Sequence, residues 1–205
     1  MQMALGARPA ITMFSYAALT GYCWAIFLIV WFVSAFTAKR SIRNTRLQRS
    51  LAIRYLIVAI FIFIYFRFYA GQHVLNGVGH YGSTTTNPLF LSIGVILTAA
   101  GIALAIWARA YLGRNWGMPM TQREHPELVT TGPYAYIRHP IYAGVILAAI
   151  GSIITIDVLW FIPLAIYCAY FFYSAPIEEK HMAEQFPDSY PAYKSRTKML
   201  IPFVL

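Results

Sequence analysis

Charged residues are scarce in this chain. Of its 205 residues only 11% are charged, whereas 59% are hydrophobic. Soluble domains usually carry about a quarter charged residues, so this composition excludes an ordinary water-soluble domain. The length fits one domain. The sequence therefore predicts a single membrane domain that covers residues 1–205.

Cysteine and acidic residues are also few. The two cysteines, Cys23 and Cys168, lie inside apolar runs and provide neither a disulfide framework nor a metal site. Sixteen basic residues outnumber seven acidic ones and fall mainly in three clusters, 39–54, 109–138 and 180–198. Basic clusters between apolar runs orient membrane proteins and attract anionic lipid headgroups. We therefore predict membrane lipids as partners, no metal ion and no nucleic acid.

Long apolar runs predict an all-α, polytopic integral membrane protein with about five transmembrane helices, since each span needs about twenty mostly apolar residues. The first three predicted spans, within residues 11–112, are Ile11–Ala38, Leu51–Ala70 and Pro88–Leu112. The last two, within a catalytic region at 113–205, are Ile141–Ile156 and Val158–Ala175. These two short runs meet at Asp157 and predict a helical hairpin. Four spans plus a re-entrant pair is the alternative.

The distribution of positive charge predicts the orientation of the chain. The loop Gly71–Asn87 contains no lysine or arginine, whereas the loop before the second span is strongly basic. Basic loops favour the cytosolic side. Alternation over five spans then places all three basic clusters, the active site and the C-terminus in the cytosol, and the N-terminus on the non-cytosolic side.

One short stretch matches the dinucleotide-binding pattern without its context. Residues Gly77–Gly82 read GVGHYG. The dinucleotide fingerprint requires a preceding strand and a following helix that receives the pyrophosphate, and this loop between spans offers neither. We interpret it as a turn.

The sequence GPYAYIRHPIYAG at 132–144 is the first candidate for chemistry. Pro140 suits the first turn of a helix, so Arg138 and His139 directly precede a helix N-terminus, whose amides and dipole favour anions. Tyr142 lies about one turn further on, and Gly144 leaves room for a ligand or a close helix contact. For an isolated Arg-His pair, binding of lipid phosphates is the competing interpretation.

An adjacent acidic pair, Glu178 and Glu179, is the second candidate. It directly follows the last predicted span and precedes Tyr190 and Tyr193. Neighbours on a helix point about 100° apart, so we expect at most one of the two glutamates to face a pocket. Alone, a solvated surface pair is the simpler interpretation.

Together these two elements resemble a known family. The sequence contains G-P-Y-x-x-x-R-H-P-x-Y-x-G, a predicted helical hairpin, the pair E-E separated by six residues from F-x-x-x-Y-x-x-Y, and a terminal I-P. This pattern is similar to the isoprenylcysteine carboxyl methyltransferase family and to phospholipid N-methyltransferases. The resemblance covers about Arg109–Pro202. It implies S-adenosylmethionine as the methyl donor and a lipophilic or prenylated substrate.

The resemblance also implies a set of donor-binding residues. His139 and Tyr142 are expected to contact the donor, and Glu178 or Glu179 to bind its ribose or amino group or to balance its positive charge. Aromatic faces can stabilise a sulfonium and stack on adenine. The expected cofactor-binding residues are Tyr134, Tyr136, His139, Pro140, Tyr142, Gly144, Glu178, Glu179, Tyr190 and Tyr193.

The expected catalytic residues depend on the methyl acceptor, which the sequence leaves open. A carboxylate is already ionised at neutral pH and needs a cationic anchor, for which Arg138 is the first choice and Arg109 the reserve. An amine needs a base, and a glutamate such as Glu178 would then take that role. The oligomeric state is left open as well.

Two other functions stay open. One is an NADPH-dependent reductase of a sterol or another lipid on the same helical scaffold, which would need additional cationic contacts for a phosphate. The other is a non-catalytic lipid-binding membrane protein. A transport role would predict ionisable residues along the spans, where Asp157 is the one clear candidate and lies at the predicted hairpin turn.

Overall fold

The computed structural model describes residues 7–35, 85–115 and 127–202, and these ranges are mainly helical. The α-helices are α1 (Ala7–Ala35), α2 (Pro88–Leu112), α3 (Pro140–Thr155), α4 (Phe161–Gln185) and α5 (Tyr190–Arg196). Short 3₁₀ helices lie at Gly113–Asn115, Gly132–Ala135 and Val158–Trp160. The predicted all-α membrane class is confirmed.

Within the described ranges, three helical segments are long and apolar enough to cross a membrane: Ser15–Ser34, Pro88–Leu112 and Val158–Gln185. The shorter α3 has 16 residues, which corresponds to about 24 Å at 1.5 Å per residue. The predicted second span Leu51–Ala70 and the turn Gly77–Gly82 lie outside the described residues. The count of five spans therefore stays a prediction.

Helices α1 and α2 run parallel to each other. Near their starts, the Ser92 hydroxyl donates a hydrogen bond of 3.3 Å to the Tyr16 hydroxyl. Near their ends, Nη2 of Arg109 donates one of 2.6 Å to the carbonyl of Ser34. This parallel relation is the one that the sequence predicts for the first and third of three consecutive spans.

Helices α2 and α3 pack antiparallel with their backbones in direct contact. A Cβ atom added to Gly101 would collide with the carbonyl oxygen of Gly144, and one added to Gly144 would collide with that of Gly101. Gly94 on α2 and Gly151 on α3 make the same kind of close backbone contact further along the helices. Small residues allow such close approach between helices in membranes. Of the two predicted roles for Gly144, the structure shows the close helix contact.

Side-chain hydrogen bonds join α1 to the far end of α3. The buried Thr20 hydroxyl donates to the hydroxyl of Thr155 at 2.9 Å, and Nε1 of Trp24 donates to the Ser152 hydroxyl at 2.9 Å. The Trp24 ring also stacks on Trp160, with ring centroids 5.3 Å apart. Hydrogen bonds between hydroxyl groups stabilise helix association where little water is present.

The hairpin between α3 and α4 turns at Asp157, as predicted. The Asp157 carboxylate accepts a 2.7 Å hydrogen bond from the amide of Leu159. Helix α4 extends past the predicted end of the last span at Ala175 and continues through Pro176 to Gln185. A proline inside a helix removes one backbone hydrogen bond and adds a steric clash, which this helix accommodates. The acidic pair therefore lies on the last long helix rather than in a tail.

The C-terminal segment, residues 186–202, returns to the start of α3. The amide of Arg138 donates to the carbonyl of Lys198 at 2.8 Å, and that of His139 donates to the carbonyl of Met199 at 3.1 Å. Leu200 is buried in a cluster formed with side chains of α3 and α4. These contacts fix the short segment that carries Arg138 and His139.

Candidate active site

Five of the predicted functional residues converge where the start of α3 lies beside the C-terminal half of α4: Arg138, His139, Tyr142, Glu178 and Glu179. The antiparallel hairpin brings these two regions together. Helix α3 begins at Pro140, as predicted, and His139 precedes it with a side chain that makes no capping hydrogen bond. The imidazole of His139 is therefore available to face the acidic pair on α4.

Glu179 is a buried carboxylate that contacts two cations. Its Oε1 lies 2.7 Å from Nε of Arg138, and its Oε2 lies 2.6 Å from Nζ of Lys194. The Arg138 guanidinium also donates through Nη1 to the backbone carbonyls of Lys194 and Thr197. Arg138 thus joins the start of α3 to both α4 and the C-terminal segment.

Glu178 contacts a different set of side chains. The hydroxyl of Tyr142 donates a 2.8 Å hydrogen bond to its Oε1, and the Ser174 hydroxyl lies 3.1 Å from the same Tyr142 oxygen. Ser174 is four residues before Glu178, so both side chains lie on the same face of α4. Tyr142 and Ser174 together hold the Glu178 carboxylate against α3.

His139 lies close to both carboxylates. Its Nδ1 is 3.8 Å from Oε2 of Glu178, and its Nε2 is 3.5 Å from Oε1 of Glu179. Both glutamates thus lie near one side chain, and the expectation that at most one of them faces a ligand pocket stays a prediction. Although adjacent helix positions diverge by about 100°, a single imidazole ring lies within reach of both flexible carboxylate side chains.

The imidazole of His139 is buried against aromatic rings. Its centroid lies 5.5 Å from that of Phe171 and 5.8 Å from that of Tyr142, both in edge-to-face geometry. Its Nε2 is buried and makes no well-aligned hydrogen bond to the residues that the structure describes. Buried polar atoms are normally hydrogen-bonded, and Oε1 of Glu179, 3.5 Å away, is an acceptor that a small shift would bring within hydrogen-bonding range of this nitrogen.

The four other predicted tyrosines differ in position. Tyr134 and Tyr193 are buried and joined by a 2.8 Å hydrogen bond from the Tyr193 hydroxyl to the Tyr134 carbonyl. Tyr190 is also buried, whereas Tyr136 is 57% exposed. Burial raises the pKa of Tyr134 and Tyr190 and raises that of Tyr193 to about 12. These phenols are therefore neutral at physiological pH.

Arg109 and Gly144 lie in helix contacts. Nη1 of the buried Arg109 donates to the carbonyl of Gly113 at 2.7 Å, and Nη2 donates to that of Ser34. A guanidinium suits these positions because the C-terminal carbonyls of helices carry partial negative charge. Gly144 faces α2 at the close contact described above. Their predicted roles toward an acceptor or a donor stay predictions.

The sequence analysis missed three members of this cluster: Ser174, Lys194 and Thr197. The spacing of four residues between Ser174 and Glu178 could have indicated that they share a helix face. Lys194 was interpreted as one charge of a basic cluster. Its contact with Glu179 depends on how the C-terminal segment folds back, which no local pattern indicates.

Residues 89–189 match the family model described as phospholipid methyltransferase. Among curated proteins, the chain is similar to cobalt-zinc-cadmium resistance protein CzcN of Cupriavidus metallidurans, with 29% identity over 63% of this chain and 56% of that protein. It is 37% identical to methanethiol S-methyltransferase 1 of Bradyrhizobium diazoefficiens over 38% of this chain and 27% of that protein. It is 28% identical to protein-S-isoprenylcysteine O-methyltransferase B of Arabidopsis thaliana over 55% of this chain and 59% of that protein. The chain thus spans less than two thirds of each relative.

The fold is also similar to a solved structure, that of the eukaryotic intramembrane Ras methyltransferase ICMT. The TM-score is 0.57 at 23% identity, and the match covers 98% of this chain and 70% of the other. The two proteins therefore share a helical fold. Together with the family-model match over residues 89–189, these likenesses confirm the predicted resemblance to the isoprenylcysteine carboxyl methyltransferase family and to phospholipid methyltransferases.

Proposed function

We propose that the protein is an S-adenosylmethionine-dependent methyltransferase acting on a lipophilic substrate at the cytosolic membrane face. The leading reaction is carboxyl methylation of an isoprenylcysteine-like acceptor. The observation that carries the proposal is the cluster of His139 with Glu178 and Glu179 at the junction of α3 and α4. All three residues lie within the part of the chain that matches the family model.

The cluster fits S-adenosylmethionine, which supplies an electrophilic methyl group on a sulfonium when it is bound. Two carboxylates at one position suit a ligand that carries positive charge. The buried Nε2 of His139 can exchange a hydrogen bond with a polar ligand atom. Aromatic rings next to the cluster, such as that of Tyr142, can stabilise a cation by their faces.

The residues around the cluster favour methyl transfer by holding these groups in fixed positions. Tyr142 and Ser174 fix Glu178, and the ring of Phe171 supports the imidazole of His139. In-line displacement depends on alignment of the two reacting groups and on exclusion of water. The apolar cluster of Phe171, Leu200 and their neighbours provides a dry surface beneath the carboxylates.

The chemical group that accepts the methyl determines which catalytic group the protein must supply. An acceptor carboxylate needs no base at neutral pH, and Arg138 is the proposed guanidinium that orients it. A thiol or amine acceptor needs a group that removes a proton, and Glu178 would then act as the base. The similarity to an isoprenylcysteine O-methyltransferase supports the carboxylate, while the similarity to a methanethiol S-methyltransferase keeps the thiol as a second candidate.

Calorimetric titration of the detergent-purified protein with S-adenosylmethionine and with NADPH tests this proposal. We expect saturable binding of S-adenosylmethionine that Glu178→Ala and His139→Ala each weaken by about tenfold, as expected when a hydrogen bond to a charged group is removed. The exposed Glu184 on the same helix provides the control, and Glu184→Ala should bind like the parent protein. Binding of NADPH instead would favour a reductase, and binding of neither ligand would favour a non-catalytic role.

A further inference from the structure

We propose that Lys194 is a displaceable counter-ion of Glu179. Its ammonium occupies the position at which a positively charged group of the ligand would bind. The methyl donor would exchange its own positive group for the Lys194 ammonium when it binds. This inference rests on the proposed function, because it assumes that the cluster receives a positively charged methyl donor. It adds a residue of α5 that determines the affinity of the site.

The two cations at Glu179 are held in different ways. The Arg138 side chain is 11% exposed, and its guanidinium bonds both to Oε1 of Glu179 and to two backbone carbonyls. The Lys194 side chain is 51% exposed, and its ammonium lies 2.6 Å from Oε2. Arg138 is therefore fixed by the fold, whereas Lys194 reaches the carboxylate from the solvent side.

Because the Glu179 carboxylate is buried, departure of Lys194 is favourable when another cation takes its place at the same oxygen. The Glu179 side chain is only 7% exposed, and a buried carboxylate without a partner is strongly destabilising. The Lys194 side chain is half-exposed, so its ammonium is readily hydrated when it leaves the carboxylate. Exchange of one cation for another at Oε2 keeps the carboxylate paired throughout, while Oε1 stays with Arg138.

S-adenosylmethionine carries two positive groups that could replace the lysine, the sulfonium and the amino-acid ammonium. S-adenosylhomocysteine retains the ammonium but lacks the sulfonium. A gain in affinity for both compounds on removal of Lys194 would identify the ammonium as the competing group. A gain for S-adenosylmethionine alone would identify the sulfonium.

The test is calorimetric titration of the full-length protein with S-adenosylmethionine. We expect Lys194→Met to lower the dissociation constant by about threefold to fivefold, because the donor no longer competes with the ammonium of Lys194 for the Glu179 carboxylate. Lys180→Met removes the same charge from an exposed position on α4 that pairs with Glu184 and should change the constant by less than about twofold. Lys194→Arg retains a cation and should not tighten binding.

Three results would overturn the inference while leaving the proposed function intact. One is unchanged or weaker binding by Lys194→Met, which would show that the lysine supports the donor. A second is equal tightening by Lys180→Met, which would show a long-range charge effect. The gain should also disappear in a Glu179→Gln background, and a gain that persists there would contradict the exchange. Absence of donor binding by the parent protein would instead refute the proposed function.

Discussion

At the scale of single residues, Arg138 has more partners than an acceptor-binding group requires. Its guanidinium contacts Glu179 and the carbonyls of two residues in the C-terminal segment. An arginine can bind a carboxylate through one edge while its other donors engage carbonyl groups. The contacts therefore add a stabilising role to the acceptor-binding role that we propose.

We predict that Arg138→Ala lowers turnover by roughly 10², as expected when a group that orients a reactant is lost. It should also lower the free energy of unfolding by about 1–3 kcal/mol, because hydrogen bonds to a charged group are removed. Initial rates at saturating donor and thermal melts in detergent measure the two effects. Arg196→Ala removes an exposed charge from α5 and serves as the control. Unchanged turnover in Arg138→Ala would remove this residue from the mechanism.

The sequence predicted most of the individual residues that meet in the cluster, because motif spacing and a helical hairpin suffice to bring Arg138, His139 and Tyr142 near the acidic pair. It did not predict which atoms pair. Both glutamates approach the site because His139 lies within reach of each. The Lys194 contact requires the chain to turn back after Gln185, and sequence periodicity carries no signal for such a long-range pairing.

At the scale of elements, the contact between α2 and α3 determines where the site forms. Gly101 and Gly144 bring the two backbones together, and this contact lies only a few residues after His139. Any change that separates the helices would move the start of α3 away from its partners on α4.

We predict that Gly144→Ala destabilises the protein by about 2 kcal/mol or more, because the added methyl group would collide with backbone atoms of α2 and overpacking strains rigid contacts. Gly21→Ala is the matched control, since a Cβ atom at Gly21 meets nothing within 4 Å. Thermal melts in detergent, with gel-filtration profiles, measure the effect. Equal stability of the two variants would contradict the close packing of α2 on α3.

The C-terminal segment offers a second prediction at this scale. Leu200 is buried against Tyr142 and Phe171, so Leu200→Ala should cost about 2–5 kcal/mol through lost burial and the cavity that remains. It should also weaken donor binding, because the segment supports the start of α3. Ile201 is 52% exposed, and Ile201→Ala should leave both properties close to those of the parent. A Leu200→Ala variant with parental stability would contradict the packing of this segment.

Hydropathy predicted helix boundaries well where composition changes sharply. The helix Pro88–Leu112 has the predicted bounds, and α3 begins and ends within one residue of the predicted run. The end of α4 was missed because Pro176 and the acidic pair lower the apolar character of the sequence while the helix continues to Gln185. Packing against α3 and α5 holds this polar extension in place.

At the scale of the whole molecule, the helix ends that carry the charged residues and the candidate catalytic residues lie on the same side of the described helices. The ends of α1 and α2, the start of α3, the acidic pair and the C-terminal segment are joined by the contacts of Arg109, Arg138 and Glu179. This arrangement agrees with the common cytosolic side that the basic clusters predict. The orientation of that side toward the cytosol stays a prediction.

Labelling of single introduced cysteines tests this orientation. Ser195→Cys on α5 and Thr86→Cys before α2 lie at exposed positions at opposite ends of the helices. We expect a membrane-impermeant maleimide to label Ser195→Cys in inside-out vesicles and Thr86→Cys in right-side-out vesicles, because basic regions remain in the cytosol. The parent protein, with Cys23 and Cys168 in its helices, gives the background. The reverse pattern would invert the proposed topology.

Methyl transfer itself tests the central claim most directly. Proteoliposomes containing the protein are supplied with S-adenosylmethionine labelled with tritium in the methyl group and with farnesylated N-acetylcysteine, and label in the lipid-soluble fraction is counted. We predict incorporation that alkali releases as volatile methanol, as expected of a carboxyl methyl ester, and that His139→Ala abolishes. Label that is stable to alkali would indicate that the acceptor is a thiol or an amine. Absence of incorporation into this acceptor and into native membrane lipids, at saturating donor, would contradict the proposed methyltransferase function.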